Sequence, residues 1–177
     1  MAEETRLPEL MLRYQSGDGS ALAELYREVA PGMIHYLYGF TASAAASEDL
    51  LQEVFLRVHR VRHTYLPGRP VKPWLYAIAR HVAIDAQRRW ARERARRARD
   101  AAPGAAAPPA DRGDLLAALA TVPPTQREAL LLTKLAGFST REAAAALGTS
   151  EGAIKVKVFR ALRALRHIFT DGEQADA

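Results

Sequence analysis

The chain has 177 residues, of which 49% are apolar and 7% aromatic, a composition typical of one ordinary domain or two small helical ones. It contains no cysteine, which excludes a disulfide framework, a cysteine-based zinc site and a thiol nucleophile. The net charge is +5, but it is unevenly distributed. Residues 1–70 hold 7 basic and 9 acidic side chains, whereas residues 71–177 hold 18 basic and 11 acidic side chains. This asymmetry predicts different partners for the two ends of the chain.

The N-terminal sequence MAEETRLPEL lacks the basic start and apolar run of a signal peptide. No stretch approaches the roughly 20 apolar residues that a membrane-spanning helix requires. We therefore expect a soluble, cytoplasmic protein that does not insert into a membrane.

Apolar residues recur at helical spacing through the first half of the chain, which predicts a helical domain over residues 5–91. After the break SGDGS, Ser20 is expected to cap a second helix, and Pro31 is expected to break or restart it. Ser47 is the expected cap of the helix that carries EDLLQEVFLRV. Its expected apolar stripe comprises Leu50, Leu51, Val54, Phe55, Val58 and Val61. Pro73 is expected to begin a further helix that carries WLYAIARHVAIDAQRR.

The composition changes at residues 92–113, where an Arg-Ala run gives way to Pro, Gly and Ala without a large apolar side chain. Such a segment cannot build a core, and we interpret it as a helix tail that frays into a flexible linker. A second helical domain is predicted over residues 114–169. In it, Thr125 and Ser139 each begin a capping-box pattern, and Gly148 ends the short helix that follows Ser139.

The stretch FSTREAAAALGTSEGAIKVKVFRALRALR predicts two helices joined by a tight turn. One face of the second helix is apolar and comprises Ile154, Val158, Ala161, Leu162 and Leu165. The opposite face comprises Lys155, Val156, Phe159, Arg160 and Arg163. A helix that docks in the major groove of DNA needs such a division. Its apolar face packs on the protein, and its opposite face carries long side chains that donate hydrogen bonds to phosphates and base edges. The alternative at this point is an ordinary helical hairpin with a solvated cationic face.

Three stretches together resemble a known family: EDLLQEVFLRV, WLYAIARHVAIDAQRR and VPPTQREALLLTKLAGFSTREAAAALGTSEGAIKVKVFRALRALR. In order and separation they are similar to regions 2 and 4 of the extracytoplasmic-function (ECF) group of sigma-70 family sigma factors. The resemblance implies an all-α fold, with a region 2 helical bundle and a region 4 helix-turn-helix domain joined by the linker. It also implies an alternative sigma factor that directs core RNA polymerase to promoters.

The resemblance implies roles for individual positions. The face expected to bind the beta-prime clamp helices of core RNA polymerase comprises Asp49, Gln52, Glu53 and Leu56. The residues expected at the minus-10 element of promoter DNA are Arg62, Tyr65, Lys72, Trp74, Arg80, His81, Arg88 and Arg89. The residues expected at the minus-35 element are Arg141, Ser150, Lys155, Val156, Lys157, Phe159, Arg160 and Arg163. The other implied partners are the beta flap of the polymerase and an anti-sigma factor that acts in trans.

Two other classes of function are considered. His59 and His63 have the spacing of a helical metal-ligand pair, but the chain has no Glu-x-x-His pair, no phosphate-binding Gly motif and no Gly-x-Ser-x-Gly elbow. We therefore expect no catalytic residue, no metal, no cofactor and no enzymatic activity. The second alternative is a freestanding helix-turn-helix regulator, which would need a self-dimerising surface to bind a two-fold operator.

Overall fold

The structure is a computed structural model that describes residues 2–100, 118–119 and 121–175. These residues contain helices and no β-strand, which confirms the all-α prediction. The longer helices are α1 (Ala2–Gln15), α2 (Gly19–Thr41), α3 (Ala44–Val61), α4 (Val71–Asp100), α5 (Pro124–Lys134), α6 (Thr140–Leu147) and α7 (Glu151–Ala175). A 3-10 turn, Arg62–Thr64, follows α3 directly. Among the described residues, no helix has both the length and the hydropathy that crossing a bilayer requires.

The first four helices pack against one another as a bundle. Each helix contributes one apolar stripe, because its inward positions recur every three or four residues. On α3 the buried stripe comprises Leu50, Leu51, Val54, Phe55 and Val58. The stripe predicted from the sequence is confirmed except at its last residue, Val61, which is half-buried, and it fixes which side of α3 remains on the surface.

The caps of α2 and α3 differ from the predicted ones. Asp18 caps α2, because its carboxylate accepts a hydrogen bond from the Ser20 amide at 2.9 Å. Ser43 caps α3, with its hydroxyl 3.3 Å from the amide it satisfies, whereas Ser47 lies inside the helix and is buried. Ser20 and Ser47 were therefore wrong as caps, since each segment offers another side-chain oxygen within about one turn of the predicted cap.

Neither Pro31 nor Pro73 marks the boundary of a helix that the sequence predicted for it. Helix α2 continues through Pro31, so the predicted break at this residue was wrong. Val29 and Met33 are buried on either side of it and hold both halves of the helix on the same core. Helix α4 begins at Val71, two residues before Pro73, and a proline in the first turn removes no intrahelical hydrogen bond.

In the second half, one of the two predicted capping boxes is present. Helix α5 begins at Pro124, so Thr125 is inside the first turn and is not the cap. The box at α6 is confirmed: the Ser139 hydroxyl accepts from the Glu142 amide at 3.2 Å, and the Glu142 carboxylate accepts from the Ser139 amide at 2.8 Å. Gly148 ends α6 with a φ of 60°, a left-handed conformation that glycine adopts without strain.

The predicted linker begins with the helix tail expected there. Helix α4 continues past residue 91 to Asp100. The remainder of the predicted linker, residues 101–113, and the first residues of the predicted second domain, 114–117, lie outside the described residues. The next described residues, Ala118 and Leu119, are helical and buried.

The two halves of the chain are in direct contact. Helix α4 packs on α6, and α2 packs on α5. Leu131, Phe138 and Ile154 belong to the same buried cluster as the core of the first four helices. A second, smaller cluster lies within the rear half and comprises Ala118, Leu119, Val122, Leu130, Ala161 and Leu165. The rear half therefore has a core of its own and an apolar surface that the front half covers.

Candidate polymerase and nucleic-acid interfaces

The outward face of α3 carries the four residues predicted to bind the polymerase. Asp49 and Gln52 are exposed, and Leu56 is a large apolar side chain with 60% of its surface in solvent. Glu53 is half-buried, and one of its carboxylate oxygens lies 3.7 Å from the Arg89 guanidinium on α4. The face is thus acidic and polar with an apolar side chain, and the Glu53–Arg89 pair is open enough to solvent that it contributes little to stability.

The loop between α3 and α4 is held by a buried tyrosine. Tyr65 is 2% exposed, its hydroxyl donates to the Arg69 carbonyl at 2.6 Å, and burial raises the pKa of this hydroxyl. The half-buried Trp74 packs edge-on against it, with ring centroids 5.6 Å apart. Tyr65 was predicted to contact the minus-10 element, but in this conformation its ring supports the loop and is not available to a base.

The start of the same loop is attached to α1. The Arg62 guanidinium lies 5.7 Å from the centre of the Tyr14 ring and donates to the His59 carbonyl at 2.6 Å. The Gln15 amide donates to the carbonyls of Arg62 at 2.6 Å and Tyr65 at 2.9 Å. Sequence reasoning missed Gln15, because no local pattern relates it to residues so far along the chain. This side chain positions the turn from which the predicted minus-10 residues extend.

The cationic residues predicted on α4 differ in their availability. Arg88 is exposed, and His81 is exposed with one ring nitrogen 2.7 Å from the backbone carbonyl one turn earlier. Lys72 is half-buried at the start of the helix. Arg80 is engaged, because its Nε lies 2.6 Å from a carboxylate oxygen of Glu128 in the rear half of the chain. Of these side chains, Arg80 alone is committed to an ion pair with the rear half.

Helix α7 has the division between two faces that the sequence predicted. Ile154 and Ala161 are fully buried, whereas Phe159 is 64% exposed and Val156 is 47% exposed. Leu162 was expected on the buried face, but it is 40% exposed and lies at the edge of the apolar stripe. The remaining predicted residues of the front are exposed or half-buried cations: Lys155, Lys157, Arg160 and Arg163. No Asp or Glu occurs between residues 152 and 168, so this face is positively charged along its length.

Two further predicted minus-35 residues lie near the start of α7. The Ser150 hydroxyl accepts from the Ala153 amide at 3.2 Å and so caps α7, and its carbonyl accepts from the Ile154 amide at 3.1 Å. Arg141 is exposed on α6. The structure therefore brings α6, the tight turn and α7 together as a helix-turn-helix.

The histidine pair considered as a metal site is not arranged as one. The His59 ring nitrogen lies 2.6 Å from the Tyr14 hydroxyl, and His63 is exposed in the turn after α3. In the part of the chain that the structure describes, no group of three or more His, Asp and Glu side chains is placed to hold a metal ion.

Comparison with known families matches both halves of the chain. Residues 25–97 match the family described as Sigma-70 region 2, and residues 112–165 match Sigma-70, region 4. The order of the two matches follows the order of the bundle and the helix-turn-helix. They define the class of the protein as a transcription initiation factor of the sigma-70 type, a family that is not known for enzymatic activity.

Relatives of similar length narrow this class. The chain is 37% identical over 169 residues to the RNA polymerase sigma factor CarQ of Myxococcus xanthus, covering 92% of this chain and 97% of the relative. It is also 37% identical over 169 residues to the ECF RNA polymerase sigma factor SigF of Caulobacter vibrioides, covering 92% of this chain and 93% of SigF. The chain belongs to the ECF RNA polymerase sigma factors. This membership argues against the freestanding regulator.

Solved structures show the same fold. CnrH, solved in complex with the cytosolic domain of CnrY, aligns with a TM-score of 0.74 at 23% identity, covering 94% of this chain and 98% of CnrH. The sigma factor RpoE, solved with the anti-sigma factor NepR from Bartonella quintana, aligns with a TM-score of 0.67 at 27% identity, covering 84% of this chain and 96% of RpoE. Both alignments extend across the front bundle and the helix-turn-helix.

Proposed function

We propose that this chain binds core RNA polymerase through the outward face of α3 and directs it to promoters that carry matched minus-10 and minus-35 elements. The loop after α3 together with α4 takes the minus-10 element, and α7 takes the minus-35 element. The observation that carries this proposal is the front of α7, which is acid-free over residues 152–168 and exposes Phe159 and Val156 among its cations.

The physical basis at the minus-35 element is complementarity to duplex DNA. Lysine and arginine neutralise phosphates and release counterions, which supplies affinity, and arginine also pairs with the acceptor edge of guanine. Val156 cannot donate or accept a hydrogen bond, but it can contact a thymine methyl group. Because the buried back of α7 is anchored by residues such as Ile154 and Ala161, the front is held rigidly enough to read base edges.

At the minus-10 element, the proposal depends on single-stranded DNA. Arg62, Lys72, Arg88 and Arg89 would contact its backbone, and the half-buried Trp74 offers part of an aromatic face to an unstacked base. Tyr65 acts in this proposal as the buried support of the loop, and not as a base contact.

At the polymerase, the outward face of α3 suits a basic helical partner, because Asp49 and Glu53 supply negative charge and Leu56 supplies an apolar anchor. The beta flap of the polymerase is the proposed partner of the rear half. Control by an anti-sigma factor is supported by the relative RpoE, which was solved with one. The chain acts in the cytoplasm and is itself not an enzyme, since the polymerase carries out the chemistry.

The test combines binding with transcription. The purified chain is mixed with core polymerase on a size-exclusion column, and the complex then transcribes a genomic fragment library whose start sites are read. We expect stoichiometric co-elution and starts that share two upstream elements. Leu56→Ala should weaken co-elution, whereas Leu12→Ala, which removes a 42% exposed leucine from α1, should not. Elution as a dimer that binds DNA but not the polymerase would refute the proposal.

A further inference from the structure

A glutamine on α1 ties the loop between α3 and α4 to the bundle. Gln15 is half-buried, and its side-chain amide nitrogen donates to the backbone carbonyl of Arg62 at 2.6 Å and to that of Tyr65 at 2.9 Å. The Arg62 carbonyl also accepts from the Tyr65 amide at 3.2 Å, so this oxygen is shared between the turn and α1. One side chain therefore holds both ends of the turn with which the loop begins.

The residue before Gln15 holds the same arginine by its side chain. Tyr14 is 5% exposed, and the Arg62 guanidinium lies 5.7 Å from the centre of its ring. The Tyr14 hydroxyl also lies 2.6 Å from a ring nitrogen of His59, in the last turn of α3. Consecutive residues of α1 thus hold the side chain and the backbone of Arg62, which is one of the proposed minus-10 contacts.

The loop beyond this turn is closed by contacts of its own. The Tyr65 hydroxyl donates to the Arg69 carbonyl at 2.6 Å, and the Arg69 amide donates to the Leu66 carbonyl at 3.2 Å. Trp74 on α4 packs against the Tyr65 ring. The end of the loop is therefore anchored on α4, whereas its start is anchored on α1. Both anchors meet at Tyr65, since Gln15 holds its carbonyl and Trp74 contacts its ring.

The tip that these contacts present is exposed and mixed in chemistry. Leu66 is 62% exposed and Arg69 is exposed, whereas Tyr65 beside them is buried. An apolar side chain next to a cation suits a single DNA strand, because an unstacked base offers an apolar face and its phosphate a negative charge. Neither Leu66 nor Arg69 is among the residues that the sequence assigned to the minus-10 element.

We propose that Gln15 is a positioning residue for the minus-10 element, because it fixes the start of the loop and so presents the tip to an unstacked base in one orientation. This role rests on the proposed function, since it requires that the loop contacts the minus-10 element. Gln15 itself does not touch DNA. A loop that already has its bound conformation loses less freedom on binding, and discrimination between bases requires contacting groups that are held in fixed places.

Two substitutions remove the donor without removing the side chain. Methionine has the unbranched length of glutamine and a similar helix propensity but no donor, so Gln15→Met should retain α1 and lose both hydrogen bonds. Gln15→Glu keeps the shape of the side chain, but an ionised carboxylate cannot donate to either carbonyl. Because the two variants differ in charge, an effect that they share follows from the lost donor.

Gln87→Met is the matched control. The Gln87 side chain is also half-buried and also donates to a carbonyl of another helix, that of Phe40 on α2 at 3.4 Å. Both ends of this hydrogen bond lie outside the loop between α3 and α4. The control therefore removes an amide that joins two helices and leaves the contacts of Gln15 in place.

The first measurement is hydrogen exchange of the loop amides in the free protein, followed by NMR. The Tyr65 amide bonds the same Arg62 carbonyl as Gln15, so its exchange reports opening of the turn. Gln15→Met and Gln15→Glu should each speed this exchange about tenfold, since the loss of hydrogen bonds of ordinary strength shifts a local opening equilibrium by that order. Gln87→Met should leave the rate unchanged.

The second measurement is transcription by core polymerase reconstituted with each chain. The template is one promoter found with the parent chain, with its minus-10 positions randomised in one set and its minus-35 positions in another. Both Gln15 variants should lower the base preference in the minus-10 set about tenfold, because the population of the competent loop conformation falls. Preference in the minus-35 set and co-elution with the polymerase should stay as in the parent, and Gln87→Met should match the parent throughout.

The outcomes separate this role from a structural one and from the proposed function. Parent-like exchange of the Tyr65 amide in both variants would show that Gln15 does not anchor the loop. Faster exchange with a parent-like minus-10 preference, or less transcript at an unchanged preference, overturns the positioning role and leaves the proposed function intact. A parent chain that co-elutes with the polymerase but shows no minus-10 preference refutes the proposed function and this role together, while the exchange result stands.

Discussion

Helices α2 and α5 approach closely at Gly39, where the effect of an alanine on stability should depend on the side chain at residue 131. A Cβ at Gly39 would lie 2.5 Å from both methyl carbons of Leu131 and 3.0 Å from its Cγ. Leu131 is fully buried, and the close packing of a protein interior resists the displacement of such a side chain. Gly39→Ala therefore forces either a shift of Leu131 or a separation of the two helices.

The magnitude follows from two opposing contributions. Alanine is favoured over glycine in a helix interior by up to about 1 kcal/mol, whereas overpacking a buried contact costs about 1–3 kcal/mol. Gly39→Ala alone should therefore destabilise the chain by up to about 2 kcal/mol. In a Leu131→Ala background, which itself costs about 2–5 kcal/mol, the clash is absent and the same substitution should stabilise by up to about 1 kcal/mol.

The assay is urea unfolding of the full chain, monitored by circular dichroism. It is carried out on the parent, the two single variants and the double variant. The double-mutant cycle should give a coupling free energy of about 1–3 kcal/mol. Gly152→Ala is the matched control, because a Cβ there meets no atom within 4 Å, and its effect should be the same in both backgrounds. If Gly39→Ala has an equal effect with and without Leu131, α2 and α5 are not in contact in solution, and the packed interface is refuted.

Four other measurements test the remaining assignments. Ser139→Ala removes half of the capping box of α6 and should lower the free energy of unfolding by about 1 kcal/mol in urea titrations. Hydrogen bonds from Ser20 and Arg13 lower the pKa of Asp18 to about 2. The charged carboxylate therefore stabilises the fold above the unfolded pKa of about 3.9, and this contribution is lost as the pH falls towards 2. The unfolding midpoints of the parent and of Asp18→Asn should converge over that pH range. Arg160→Ala should weaken binding to the minus-35 element by about 1–3 kcal/mol if Arg160 reads a base, and an equal loss on all sequences would reassign it to a phosphate. Asp49→Ala combined with Glu53→Ala should abolish co-elution with core polymerase while the circular dichroism spectrum stays native.

The sequence was sufficient where structure follows from the spacing of apolar residues along one helix. The buried stripe of α3, from Leu50 to Val58, and the exposed front of α7 around Phe159 were both predicted, because burial repeats with the helical period. Leu162 is the exception, since a residue at the edge of a stripe is buried or exposed according to what packs beside it. At such positions the neighbouring helix decides.

Helix starts were harder to predict, because several side chains compete for the same role. Asp18 and Ser43 cap their helices, although Ser20 and Ser47 lie close by and have the same chemistry. Which oxygen acts as the cap depends on where the chain leaves the preceding turn, and that is a tertiary property. At Pro31, buried neighbours on both sides outweigh the lost backbone hydrogen bond and the helix continues.

Contacts between distant parts of the chain left no signal in the sequence. Gln15 holds a turn that begins 47 residues later, and Tyr36 meets Glu128 at a separation of 92 residues. Glu128 falls within the capping-box pattern that was predicted to begin at Thr125, and Arg80 was predicted only as a contact to the minus-10 element. Both are ordinary charged residues in helical patterns, so their pairing depends on a packing that local periodicity does not specify.

Tyr36, Arg80 and Glu128 meet where the rear half packs on the front half. Replacing a buried ion pair by apolar side chains is often neutral or stabilising, so the pair adds geometric specificity more than net stability. The Arg80 side chain is 38% exposed, whereas that of Glu128 is 8% exposed, so solvent and a competing anion can approach the pair from the arginine side. A DNA phosphate is such an anion, and Arg80 is among the residues predicted to contact the minus-10 element. An anion that took Arg80 from Glu128 would leave a buried carboxylate without its cation, which is costly.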